Sequence, residues 1–180
     1  MTCSRRSGPT TACSARRARR RRVRAVGVGS STRSTARPTT STAFRPGSSE
    51  RGAVVGVVHD PLRGETFAAT RNGGASLDGV QIAVSGAETL DSALIGTGFG
   101  YAAERRAEQA AIAAELLPRV RDIRRAGAAA LDLCMVACGR LDGYYERGLN
   151  AWDWSAGSLI ASEAGAAVLP LAGEPFGLVA

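Results

Sequence analysis

Lysine is absent from this chain of 180 residues, and all 23 basic side chains are arginine. A GC-rich coding sequence produces such a bias without any selection for contact with phosphate groups. The sequence also has no apolar run near the roughly 20 residues that a membrane-spanning helix needs. The first thirty residues contain arginine but no continuous apolar stretch. The sequence therefore predicts neither a membrane span nor a secretory signal.

Cysteine is scarce, and its spacing excludes the usual cross-links. Four cysteines stand at positions 3, 13, 134 and 138, with no CxxC pair and no second cluster at zinc spacing. This pattern indicates neither a disulfide framework nor a zinc site. Cys134 and Cys138 lie four residues apart on one face of a predicted helix, which is typical of buried free thiols. We therefore expect a soluble protein in the reducing cytoplasm.

Acidic residues are nearly missing from the first 50 positions, which hold twelve arginines and only Glu50. Residues 51–180 hold eleven arginines against fifteen acids, so the net charge of +7 comes from the N-terminal segment. The arginine run at 16–24 could bind nucleic acid by releasing counterions from phosphates. No aromatic side chain for base stacking interleaves it, so disorder or a misread frame is the preferred interpretation and nucleic-acid binding the minor alternative.

From residue 53 onward, short β-branched runs alternate with turn signals and are followed by helical patterns. The alternation predicts a layered α/β fold. The predicted strands are 53–58, 65–70, 80–85, 93–98, 143–145 and 166–170. The predicted helices are 104–120 with a stop near Pro118, 128–140 ending at Gly139, and 153–165 ending at Gly165.

Asp153 stands at the beginning of the last predicted helix, followed by the small residues Ser155, Ala156 and Gly157. A carboxylate there is favoured by the helix dipole, can cap free amides, and remains available to a hard cation such as Mg2+. Spacing alone favours a plain helix cap over a metal ligand. Four other polar side chains belong to no recognisable catalytic or metal-binding motif, and we expect structural, solvated or capping roles for them. They are His59, Asp60, Asp132 and Asp142.

The longer context of Asp153 resembles a known family. RRAGAAALDLCMVACGRLDGYYERGLNAWDWSAGSLIASEAGA resembles the second signature region of the inositol monophosphatase family, and GVVHDPLRGETFAATRNGGASLDG resembles its central hairpins. The resemblance runs from about Val54 to the C-terminus. The family patterns WDxAAG and EAGG differ here only by Ser155 and Ala166. The resemblance implies a layered α/β sandwich of the inositol monophosphatase and sugar phosphatase type, incomplete, over residues 51–180, after a disordered arginine-rich segment, 1–50.

The same resemblance implies a chemistry. Family members hydrolyse phosphomonoesters by metal-assisted attack of water, because cations must first neutralise the phosphate dianion. By resemblance, Asp153 is a ligand of the second Mg2+, Glu146 contacts a substrate hydroxyl, and the backbone of Gly127, Ala128 and Ala129 lines the substrate pocket. The implied substrate is a small phosphorylated polyol or sugar such as inositol monophosphate, and the implied assembly is a homodimer.

The remaining metal-binding motifs of the family, GEE and DPIDGT, do not occur in the chain. When a family-like peptide WVVDPIDGTTNYLYGLPA is written in GC-rich codons and read from the second base, it gives GSSTRSTARPTTSTAFRP, which is residues 29–46. RPDDGLLGEEG gives residues 8–18 in the same way. We therefore predict that residues from about 8 to 46 are an out-of-frame translation of the missing metal site.

Two consequences follow for the chain as written. It lacks the Glu and two Asp of the upstream motifs, so we assign no catalytic residue and expect no phosphatase activity. It also ends at GEPFGLVA, short of the last strand and helix expected from the resemblance. The alternative functions are a noncatalytic dimerising pseudo-enzyme and, less favoured, an arginine-rich nucleic-acid-binding protein.

Overall fold

The computed structural model describes residues 41–46 as backbone and residues 53–169 and 171 in full. The helices are α1 (Ala103–Leu116), α2 (Ala129–Ala137) and α3 (Ala151–Glu163), and short 3-10 turns occur at Leu90–Ser92 and Leu117–Arg119. The strands are β1 (Ser41–Pro46), β2 (Ala53–Asp60), β3 (Glu65–Thr70), β4 (Ala75–Leu77), β5 (Val80–Ile82), β6 (Leu94–Thr97), β7 (Asp122–Arg124) and β8 (Gly143–Tyr145).

Strands β1 to β5 form an antiparallel sheet in chain order. The buried carboxylate of Asp60 closes the turn after β2, because its Oδ1 accepts the Leu62 N–H at 2.9 Å and its Oδ2 accepts the Arg63 guanidinium at 2.8 Å. Asp78 and Gly79 both have positive φ and form the two-residue turn between β4 and β5. The expected structural role of Asp60 is confirmed.

Strands β7, β6 and β8 form a second sheet, which is parallel and has β6 at its centre. Helix α1 connects β6 to β7, and helix α2 connects β7 to β8. Asp142 fixes the start of β8 beside β6, since its Oδ2 accepts the Leu94 N–H at 2.6 Å. Loops that follow parallel strands meet at one edge of the sheet, so this arrangement gathers three loops at a single place.

The core lies where α2 and α3 pack against each other and against the antiparallel sheet, with Phe67, Leu133 and Ile160 fully buried. Glycine makes this close packing possible. A Cβ at Gly157 would lie 2.8 Å from the Leu133 Cβ, and a Cβ at Gly56 would lie 2.8 Å from the Ala156 carbonyl oxygen. The small residues after Asp153 therefore bring the helix backbone directly onto its neighbours.

The close packing of Gly157 gives a first prediction. Alanine normally stabilises a helix interior by about 1 kcal/mol relative to glycine. Here the added methyl group must displace Leu133, so we expect Gly157→Ala to lower the free energy of unfolding by about 1–3 kcal/mol. Urea denaturation measures this, with Gly86→Ala, which has open space around it, as the control. A stabilised Gly157→Ala variant would contradict the packing.

Glu163 joins the end of α3 to the turn between β3 and β4. Its Oε1 accepts the Asn72 N–H at 2.8 Å, and its Oε2 accepts the N–H groups of Gly73 and Gly74 at 3.2 and 3.0 Å. These amide donors hold the pKa of Glu163 below its usual value. The stabilisation is therefore present above the ordinary carboxyl pKa and is lost as the pH falls through the lowered one.

We expect Glu163→Gln to lower the free energy of unfolding by about 1 kcal/mol at pH 7, a low value for bonds to a charged group because the carboxylate is partly solvated. The difference from the parent should shrink below pH 4, where the parent carboxylate also becomes neutral. Chemical denaturation at both pH values measures it, and Glu108→Gln at an exposed position of α1 is the matched control. Equal losses at the two pH values would exclude the carboxylate as the cause.

Several predicted boundaries need correction. The strand expected at 80–85 ends at Ile82, the strands β4 and β7 were not predicted, and no strand forms at 166–169 of the expected strand 166–170. The disorder expected for 1–50 does not describe Ser41–Pro46, which pair with β2 as strand β1. The other residues of that segment lie outside the described part of the chain. Of the helices in that part, none is long and apolar enough to span a membrane.

Candidate active site

The predicted site residues meet beyond the carboxyl ends of the three parallel strands. Glu146 follows β8, the segment Arg125 to Gly127 follows β7, and Gly98 follows β6. The chain runs from β6 to the edge strand β7 and then crosses back over β6 to β8, so the two successive connections run in opposite directions along the sheet. Open α/β sheets bind ligands outside the carboxyl ends of their strands, at such a change of direction. The topology thus explains why residues far apart in sequence form one site.

Glu146 lies partly buried beyond the carboxyl end of β8. The Tyr144 hydroxyl donates a hydrogen bond to its Oε2, and its carboxylate occupies the space that a side chain at Gly98 would take. Burial raises the pKa of Glu146, and the nearby Asp153 carboxylate adds to the rise, while the Tyr144 hydroxyl and the Arg125 guanidinium oppose it. Glu146 is therefore a fixed, poorly solvated carboxyl group next to a second acidic group.

Asp132 is a buried member of the same cluster. It lies on α2 with 2% of its surface exposed, and its Oδ2 has no hydrogen-bond partner within the described residues. Burial, followed by repulsion from Glu146, raises its pKa to about 7, although the backbone amide of Ala128 and the Arg125 guanidinium act in the opposite direction. The expectation that Asp132 is solvated was wrong, because the apolar run on both sides of it in LDLCMV places it inside the core. The alternative expectation, a capping role, agrees with the backbone amides of Ala128 and Gly127 that act on its carboxylate at the start of α2.

The predicted pocket backbone, Gly127 to Ala129, forms the entrance to α2. Gly127 has φ of 87°, a left-handed conformation that favours glycine, and the guanidinium of Arg125 lies over it. Ala128 is the N-cap residue and has no side chain that could cap the helix. The backbone amides of Gly127 and Ala128 act on the Asp132 carboxylate, and the Leu131 N–H donates to the Ala128 carbonyl oxygen at 2.8 Å, so these N–H groups at the entrance to α2 are engaged within the protein.

Asp153 is the third residue of α3, so it is not the N-cap that its spacing favoured. Asn150 occupies the cap position, and its backbone N–H donates to the Asp153 Oδ2 at 3.0 Å. Asp153 thus supports the first turn from inside the helix, as an acidic residue at this position does in a capping box. Its carboxylate stays partly exposed, and its negative charge acts on Glu146. Asp153 therefore lies close enough to Glu146 for its charge to raise the pKa of that carboxyl group.

The described residues do not form a complete metal site. They contain no group of three or more His, Cys, Asp or Glu side chains placed to hold a metal ion. Asp153 offers a hard carboxylate oxygen of the kind that Mg2+ prefers. The second carboxylate, Glu146, accepts a hydrogen bond from the Tyr144 hydroxyl, and the third, Asp132, is buried in the core. Within this part of the chain, Asp153 can therefore supply only one ligand of a larger set.

The other singled-out residues have structural contacts. The His59 Nδ1 lies 3.0 Å from the Thr66 hydroxyl across β2 and β3. Cys134 is buried, and burial raises its thiol pKa well above the usual value, so it is an unreactive core thiol. Cys138 is a second free thiol, and burial raises its pKa as well. The structural role of His59 and the burial of Cys134 agree with expectation, whereas Cys138 is only half-buried. Asp142, expected to be solvated or to cap a helix, instead accepts the Leu94 N–H of β6.

A family model describes most of the chain. The model of the inositol monophosphatase family matches residues 48–180. An inositol-1-monophosphatase of Mycobacterium leprae (strain TN) is 50% identical over 130 residues, which are 69% of this chain and 45% of that protein. The Nus factor SuhB of Escherichia coli (strain K12) is 45% identical over 120 residues, 66% of this chain and 45% of that protein.

Solved structures agree with these matches. Mycobacterium tuberculosis SuhB has a TM-score of 0.69 and 44% identity, covering 79% of this chain and 58% of that one. The inositol monophosphatase from Anabaena (Nostoc) sp. PCC 7120 has a TM-score of 0.64 and 39% identity, covering 69% of this chain and 50% of that one. The predicted α/β fold is confirmed. The chain spans about half the length of the relatives it matches.

Proposed function

The chain belongs to the inositol monophosphatase family, and on that premise we propose that residues 53–169 carry the substrate-facing part of a Mg2+-dependent phosphomonoesterase site. The substrate class is a small phosphorylated polyol or sugar such as inositol monophosphate. One observation supports this most directly. Glu146, Asp153 and the entrance to α2 lie together beyond the carboxyl ends of β6, β7 and β8.

Each group has a role that its surroundings allow. Glu146 accepts a hydrogen bond from a substrate hydroxyl, because Tyr144 and the backbone at Gly98 fix its carboxylate in a poorly solvated position. The backbone of Gly127, Ala128 and Ala129 lines the pocket for the polyol next to it. Asp153 contributes one oxygen to Mg2+, which when bound neutralises the phosphate and supports the attack of water.

The chain as written lacks the rest of this site. The acidic motifs GEE and DPIDGT are absent from its sequence, and the described residues hold no metal-binding cluster. One carboxylate does not offset the charge of a phosphate dianion or orient a water molecule. We therefore propose that the frame-restored gene product is the enzyme and that this polypeptide does not turn over phosphomonoesters.

The experiment that tests this has two parts. The gene is resequenced across its first 160 or so bases, and the N-terminus of the natural protein is determined by mass spectrometry. Recovery of GEE and DPIDGT in frame, together with Mg2+-dependent release of phosphate from inositol monophosphate, supports the proposal. Detection of the peptide GPTTACSAR instead makes the chain a decayed member of the family. Turnover by the chain as written would overturn the account of its missing ligands.

A noncatalytic pseudo-enzyme is the second candidate, and the lack of a metal-binding cluster in the described residues favours it for the chain as written. Gel filtration would support it by showing a stable oligomer whose melting temperature does not respond to Mg2+. The homodimer, the cytoplasmic location and the division at residue 50 remain predictions. Nucleic-acid binding would require a steep salt dependence that disappears when residues 1–28 are deleted.

A further inference from the structure

Gln109 is an exception on helix α1, which otherwise lies at the surface. It is the buried residue of that helix, with 3% of its surface exposed. A buried carboxamide has lost its hydrogen bonds to water and must replace them within the protein. Its Oε1 accepts the Gly100 N–H at 2.8 Å, and its Nε2 lies 3.5 Å from the Gly98 carbonyl oxygen. One side chain therefore holds both ends of the loop Gly98–Gly100.

The loop Gly98–Gly100 lies directly against Glu146. A Cβ at Gly98 would overlap the carboxylate carbon and both carboxylate oxygens of Glu146. The carboxylate thus rests on bare backbone, while the Tyr144 hydroxyl binds it by a hydrogen bond. Any displacement of the loop changes the space that the Glu146 carboxylate occupies.

A second contact joins the segment that follows β6 to the segment that follows β8, and this time the charged side chain comes from the first of them. The guanidinium of Arg105, at the start of α1, occupies the space that a side chain at Gly148 would take. The Arg105 Cδ would lie 2.6 Å from a Cβ at Gly100. Each segment therefore provides a glycine against which a charged side chain of the other segment packs. The interlocking fixes the distance between α1 and the loop that leads into α3.

We propose that Gln109 is a positioning residue of the site, which acts through the loop Gly98–Gly100 to set where the Glu146 carboxylate meets its ligand. The contact of Glu146 with a substrate hydroxyl rests on the proposed function. The positioning of the Glu146 carboxylate by Gln109 does not depend on the proposed function, because it involves only residues of the chain itself. Gln109 has no catalytic role of its own, since its carboxamide contacts the backbone of Gly98 and Gly100.

The test uses the chain as it exists, labelled with 13C at the glutamate carboxyl carbons and with 15N in the backbone. Gln109→Met keeps the volume of the side chain but removes its donor and acceptor. We expect the Gly100 amide to exchange with solvent roughly tenfold faster, as for the loss of one hydrogen bond. The carboxyl signal of Glu146 should move, while those of Glu65 and Glu163 stay in place.

Two variants complete the test. Ala110→Met places the same side chain at the neighbouring exposed position of α1 and should change neither readout. Gly98→Ala leaves Gln109 intact and should move the Glu146 signal by displacing the carboxylate. If Gln109→Met does not fold, Gln109→Asn, which keeps both polar groups on a shorter side chain, replaces it.

Two outcomes would overturn the positioning role. The first is an unchanged Glu146 signal in a folded Gln109→Met variant, whether or not Gly98→Ala moves that signal. The second is a shift of all glutamate signals together with a lower melting temperature, because it indicates general loosening of the fold. Neither Mg2+ nor substrate is present, so failure here is distinguishable from failure of the proposed function.

Discussion

In the frame-restored protein, Asp153→Asn is expected to lower kcat/KM for inositol monophosphate on the order of a hundredfold or more, with a corresponding increase in the Mg2+ concentration required. Asparagine keeps the size of the side chain and its carbonyl oxygen can still accept the Asn150 N–H, so α3 should fold. The variant loses the negative charge that a metal ligand at this position supplies. Phosphate release at a series of Mg2+ concentrations measures both effects.

Two further variants define the interpretation of that loss. Asp91→Asn removes an exposed carboxylate at the 3-10 turn Leu90–Ser92 and should leave turnover unchanged. Glu146→Gln should act mainly on KM, since a contact with a nonreacting hydroxyl contributes equally to ground-state and transition-state binding. Full activity of Asp153→Asn at the Mg2+ concentration that suffices for the parent would contradict its role as a ligand and leave only its role in the first turn of α3.

The sequence predicts those parts of the fold that depend on local chemistry. Asp60 closes its turn through atoms two and three residues away, and the Asp78-Gly79 turn requires only two residues that tolerate positive φ. The helices follow from apolar spacing and from stops at Pro118 and Gly139. Short-range contacts of this kind are contained in the sequence itself, and these predictions were close to the observed elements.

The elements that depend on distant partners were not predictable in the same way. Strand β7 has only three residues and exists because β6 lies beside it, and β4 is equally short and depends on β3. The strand expected at 166–170 has a suitable sequence but does not form at 166–169. Pairing over long separations decides such cases, and local preference is then a weak guide.

The candidate site shows the same division. Resemblance located Asp153 and Glu146, but neither spacing nor resemblance identified Asp132 or Gln109 as members of the cluster. Both are polar residues that the tertiary fold buries, Asp132 beneath the entrance to α2 and Gln109 beneath the loop after β6. The only sign of their role is that a polar residue occupies a buried position of a helix. That burial can be recognised only when the neighbouring elements are known.

Asp132→Asn is expected to stabilise the chain at pH 8 by up to roughly 4 kcal/mol relative to the parent, and to have little effect near pH 4. Burial raises the pKa of Asp132 to about 7, well above its ordinary value of 3.8. Between these values the folded state binds the proton more tightly than the unfolded state. The free energy of unfolding of the parent therefore falls as the pH rises through this window, whereas asparagine carries no such dependence.

Urea denaturation of the parent and the variant at pH 3, 4.5, 6 and 8 measures the difference, and Asp142→Asn provides a control of opposite sign. Burial would raise the pKa of Asp142, but the Leu94 amide and other donors outweigh it and lower the value. Asp142→Asn should therefore destabilise the chain more at pH 8 than at pH 3. If the free energies of unfolding of the parent and of Asp132→Asn run parallel between pH 4.5 and pH 8, Asp132 is solvated in the folded protein. The assignment of Asp132 as a buried carboxyl group beside Glu146 would then be wrong.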